Sequence, residues 1–62
     1  MNIKVSALDS AIRYADARAK RERCEIRVWH VARAFGRDST FHVQWANDEA
    51  PFGATLAYVA RP

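Results

Sequence analysis

The periodicity of apolar residues changes once along this chain, at Arg23 and Cys24, and that change limits the fold to a helix followed by strands. Before it, Val5, Leu8, Ile12, Ala15 and Ala19 recur at spacings of three and four, which align as one stripe of an α-helix. After it, Cys24, Ile26, Val28, His30, Ala32 and Ala34 alternate with Glu25, Arg27, Trp29, Val31, Arg33 and Phe35. That two-residue period belongs to a strand with two different faces.

The rest of the chain supplies one helix and three strands. The helix is expected from near Ala7 to about Arg21, opened by Ser6 with Asp9 three residues on, a near capping box with Asp in place of Glu or Gln. Asp9 with Arg13, and Asp16 with Lys20, stand four apart in the acid-then-base order that supports a helix. Gly36, Arg37, Asp38 and Ser39 mark a tight connection between the strand at 24–35 and a second from Thr40 to Ala46, predicting a hairpin. Residues 47–53 read as a loop, and Thr55 to Arg61 as a third strand with either Leu56, Tyr58 and Ala60, the favoured larger trio, or Ala57 and Val59 facing inward. The fold class is therefore α+β: an N-terminal helix packed on a three-stranded antiparallel meander, with a short preceding strand at Ile3 to Val5 as an addition. Residues 1–62 make one small domain.

Register follows from matching apolar faces, because a slip of one residue would invert every side chain. With Phe35 opposite Thr40, Ala34 meets Phe41, Ala32 meets Val43 and His30 meets Trp45, small residues against large. The helix stripe is expected to cover that face and to bury Leu8, Ile12, Val28, Phe41 and Trp45 together. The other face then presents Arg27, Trp29, Val31, Arg33, Phe35, His42 and Gln44, too polar for a second core yet carrying two large aromatics. In this register residues 24–27 overrun their partner, which leaves a free edge able to pair with a second copy around 24–30.

Charge and cysteine content narrow the setting. The net charge is +3, and the excess is concentrated at Arg18, Lys20, Arg21 and Arg23. Cations there complement the negative end of the helix dipole; the competing reading is a polyanion contact. Cys24 is the one cysteine, so no disulfide within the chain exists and a reducing cytoplasm fits. The N-terminal residues lack the apolar core of a signal peptide, and the longest apolar run, Leu56 to Ala60, is too short to span a bilayer.

Catalytic constellations fail on distance or composition, so no enzyme activity, metal or cofactor is expected. Cys24 and His30 share a strand face but lie roughly 20 Å apart at about 3.3 Å per residue. His30 reads as a core histidine. His42, expected opposite Arg33, has a cation beside it that disfavours metal binding. Asp48 and Glu49 are adjacent in a loop, where neighbours point apart, and the two glycines, Gly36 and Gly53, cannot build a phosphate loop.

Two binding functions remain. In the first, the chain is a small regulator, inhibitor or adaptor acting by protein–protein contact, of the size that phages and plasmids often encode. Arg27, Trp29, Arg33, Phe35 and His42 on the uncovered sheet face, together with the strand edge, would supply the aromatic and arginine anchors. In the alternative, Trp29 and Phe35 stack on bases of a nucleic acid while Arg27, Arg33, His42 and the run Arg18, Lys20, Arg21 and Arg23 track phosphates. A third reading of Trp29 and Phe35 makes them the core of a homodimer.

Overall fold

The computed structural model describes residues 3–32 and 39–62. It contains β1 (Ile3–Val5), α1 (Leu8–Glu22), β2 (Ile26–Val31), β3 (Thr40–Trp45) and β4 (Thr55–Ala60). One helix packs on an antiparallel four-stranded sheet of order β1-β3-β2-β4, which is the expected α+β class with the short leading strand present as a full member. Among the described residues no helix is long and apolar enough to cross a membrane.

The strand order is not the expected meander. β3 lies between β1 and β2, with Ile3 opposite Val43 and Val28 opposite Val43 on its two sides. Since β1 occupies the outer side of β3, β4 pairs on the far side of β2, with Ile26 opposite Ala60. β1, α1 and β2 thus form a crossover between two parallel strands with β3 inserted between them, a connection that places its helix on a sheet face. β2 is central, hydrogen-bonded on both sides from Ile26 onward, so it offers no free edge for a second copy. Proline at Ile26 would break this sheet rather than merely release a partner.

The β2–β3 register differs from the expected one by four residues: Ile26 faces Trp45, His30 faces Phe41 and Val31 faces Thr40. β2 ends at Val31, with Ala32 already outside the strand. A shift of four is an even number, so every side chain keeps its expected face. The anticipated turn at Gly36 to Asp38 lies outside the described residues, as do Arg33, Ala34 and Phe35.

The core is a seam of small helix residues on β-branched strand residues. Ala11, Ala15 and Ala19 are 0% exposed against Ile26, Val28 and Val43, also 0%, and Ala60 at 1%. These alanines are four apart, and their methyl groups let the helix backbone approach the sheet closely. Expected burial is corrected accordingly: Val28 is buried, but Leu8 is 38% exposed and Ile12, Phe41 and Trp45 are half-buried. Leu8, three residues before Ala11, holds the first position of the helix, where the seam ends.

Both ends of α1 depart from the usual caps. The N-cap is Ala7, with no side-chain hydrogen bond, because the helix begins one residue too late for Ser6 to cap it. At the other end Arg23 adopts a left-handed conformation, φ 54° and ψ 46°, and its backbone N–H donates to Ala19 O, as does that of Cys24 at 3.2 Å. Glycine usually fills such a position. The anticipated Asp9–Arg13 and Asp16–Lys20 pairs do not form; Asp16 accepts instead from Tyr58 Oη at 2.8 Å.

Candidate partner-binding face

Pleating assigns the functional candidates to one side of the sheet. Residues directly opposite one another project to the same face, so the face away from α1 carries Lys4 from β1, His42 and Gln44 from β3, and Arg27, Trp29 and Val31 from β2. β4 adds a residue that sequence patterning sent elsewhere. A β-bulge between Val28 and Trp29 makes Val28 face Tyr58 but Trp29 face Leu56, skipping Ala57. The bulge turns Leu56 away from the helix, while Tyr58 and Ala60 face it as expected. A row Lys4, His42, Trp29, Leu56 therefore runs across all four strands.

This row combines a cation, an imidazole, an indole and an aliphatic side chain. Lys4 is exposed, Leu56 is 45% exposed, and His42 and Trp29 are half-buried. The next row holds Gln44, only 4% exposed, opposite Arg27, which is opposite Val59. Two buried polar atoms on this face, His42 Nδ1 and Gln44 Oε1, meet no hydrogen-bonding group. Such groups cost free energy until a donor or acceptor reaches them. His42 titrates below its ordinary value, first because burial disfavours imidazolium and second because Lys4 lies across from it. The neighbouring cation is thus Lys4; the expected neighbour, Arg33, lies outside the described residues, and β2 presents Trp29 there instead.

Arginine is engaged at one end of this face. Arg27 Nε donates to Glu25 Oε2 at 2.8 Å, and Arg61 Nε stands 3.8 Å from Glu25 Oε1. Of the expected face residues, the structure brings Arg27, Trp29 and His42 together.

The basic run is elsewhere. Arg18, Lys20 and Arg21 belong to the helix, on the opposite side of the sheet, and Arg23 follows its last turn. Arg18 is half-buried: its Nε pairs with Glu22, its Nη1 donates to Tyr14 Oη at 2.7 Å, and its guanidinium lies 5.9 Å from the Tyr14 ring centre. Lys20, Arg21 and Arg23 are exposed and pair with none of the described residues. Helix cations and sheet aromatics therefore do not form one surface.

A cleft of about 370 Å³ opens at the helix C-terminus, lined by Glu22, Cys24, Glu25, Trp45, Ala46 and Asn47. Trp45 Nε1 donates to Glu22 Oε1 at 3.0 Å across it. Sequence reading did not find this cleft, since only the pairing of Ile26 with Trp45 brings β3 to the end of the helix. Cys24 and His30 sit toward opposite ends of β2 and do not meet; His30 instead stacks on Phe41, centroids 5.2 Å apart, on the helix side. Among the described residues no three of His, Cys, Asp and Glu gather as metal ligands.

No protein-family model, curated protein or solved structure matches this chain.

Proposed function

We propose that this chain is a small non-enzymatic regulator, inhibitor or adaptor that binds another protein through the sheet face opposite α1. The row Lys4, His42, Trp29, Leu56 carries this reading, since it spans the sheet with an aromatic anchor at its centre. In the cytoplasm the free thiol of Cys24 would stay reduced.

The nucleic-acid alternative needs phosphate contacts beside the stacking aromatics; Lys4 and Arg27 share the face of Trp29, but Arg27 is engaged by Glu25, and the helix cations lie across the sheet. Both readings are separated by one comparison. Wild-type protein, Trp29→Ala, and a variant with Lys20, Arg21 and Arg23 each replaced by alanine are immobilised and exposed to cell lysate, and in parallel titrated with duplex and single-stranded nucleic acid at low and moderate salt. A retained protein partner lost in Trp29→Ala and kept in the triple variant is the expected result. A salt-sensitive nucleic-acid complex, lost in the triple variant, would replace this function with the alternative.

A further inference from the structure

We infer that β4 is an intermolecular pairing edge, and that the strand it takes is β4 of a second copy of this chain. Among the described residues the sheet has two edges, β1 and β4, and they are built differently. β1 is three residues long and carries an exposed lysine, Lys4. Short length and charge are both means by which sheets keep an edge from pairing. β4 has neither: its six residues, Thr55 to Ala60, include no charge and no proline, and among the described residues it pairs only with β2. Apolar surface collects at the same edge, with Leu56 45% exposed and Phe52, three residues before the strand, fully exposed. β1 is blunted by both length and charge, whereas of these protective devices β4 carries the bulge at Ala57.

The bulge at Ala57 fixes how two such edges would fit. Leu56 and Val59 face away from the helix, whereas Thr55 and Ala60, opposite His30 and Ile26, face it. An antiparallel two-fold pairing with Leu56 opposite Val59 of the second copy also sets Thr55 opposite Ala60, so both faces match. A slip of one residue would place Leu56 opposite Tyr58 or Ala60, which belong to the helix side. In the matched register Arg61 falls opposite Ala54 of the other copy, so the two Arg61 side chains lie at opposite ends and no like charges meet. This self-complementarity favours a second copy over a foreign strand. A chain of 62 residues also has little core of its own, and a continuous eight-stranded sheet would enlarge it. The pairing is independent of the partner proposed for the sheet face, although it would set the Trp29 rows of both copies side by side.

Sedimentation from about micromolar to millimolar protein, the range expected for a small interface, tests the pairing. The wild-type mass should rise from one chain to two. Leu56→Lys alone and Val59→Glu alone should each leave one chain, and the two combined should restore two, because each new lysine then faces a new glutamate. Amide hydrogen exchange of wild-type residues 55–60 at both ends of the concentration range needs no variant to fold, and protection should grow with concentration. Trp29→Ala should leave the mass unchanged, which separates this pairing from binding through the sheet face. A one-chain mass throughout would overturn the inference and leave the edge to another protein's strand. So would a dimer undiminished by Leu56→Lys, or exchange at 55–60 independent of concentration.

Discussion

Tyr58 Oη donates a 2.8 Å hydrogen bond to Oδ1 of Asp16, tying the last strand to the middle of the helix across 42 positions of sequence. The same bond holds the phenol above its ordinary value of 10.0, with burial and the Asp16 charge adding to the effect. Because the folded value exceeds the unfolded one, the stabilisation is complete below about pH 10 and is lost as pH rises through the native value. Tyr58→Phe should lower the thermal midpoint at neutral pH and flatten its decline above pH 10. A midpoint that fell with pH as steeply in the variant as in wild type would show that Tyr58 is not the group responsible.

The alanine seam predicts an inverted order of sensitivity along the helix. Ala15→Leu should destabilise by roughly 1–3 kcal/mol through overpacking at a fully buried site. Ile26→Ala on the facing strand should cost roughly 2–5 kcal/mol. Leu8→Ala, at 38% exposure, should cost clearly less than either. Denaturant unfolding of the three variants measures this, and a Leu8→Ala loss equal to that of Ile26→Ala would place the seam wrongly.

The caps of α1 leave room for gain. Ala7→Asp would supply a side-chain acceptor to the first turn, where Ala7 now makes none, and should stabilise by about 0.5–2 kcal/mol. Arg23→Gly would relieve a left-handed backbone at φ 54°, a conformation that costs a side chain roughly 1–2 kcal/mol. Thermal unfolding should show both variants melting higher than wild type. Arg23→Ala keeps the side-chain penalty and should not gain, so equal gains for glycine and alanine would assign the effect to lost charge.

Acidification should act through His42. Its native value lies below 6.5, so the unfolded chain binds the proton first, and stability falls as pH drops from about 6.5 through the native value. Lys4→Gln removes the second cause and should move the His42 midpoint upward without restoring it fully, since burial is the larger cause. Imidazole NMR titration, with His42→Gln to assign the resonance against His30, reads this directly. A His42 midpoint at or above the ordinary value would contradict its position beside Lys4.

The residues that sequence patterning grouped on one face share that face wherever they are described, although their pairing was misread by four positions. Arg27, Trp29, His42 and Gln44 are together because a strand alternates strictly, and an even slip preserves alternation. Leu56 joined them only because a bulge interrupted that alternation, and no residue in Thr55 to Ala60 announces a bulge. Arg18 was grouped with the exposed cations by its neighbours in sequence, yet Glu22 and Tyr14 hold it.

The sequence by itself determined the helix, the strands and the two faces of β2 and β3, since periods of 3.6 and 2 are properties of the local backbone and need no partner. Strand order, the Ala11–Ala15–Ala19 seam, the Trp45–Glu22 contact and the place of β4 at the sheet edge were decided only in the tertiary structure. The reason is competition between distant segments. β1 takes the outer side of β3, which sends β4 to β2, and the smallest helix side chains, not the largest, permit the closest approach of helix to sheet.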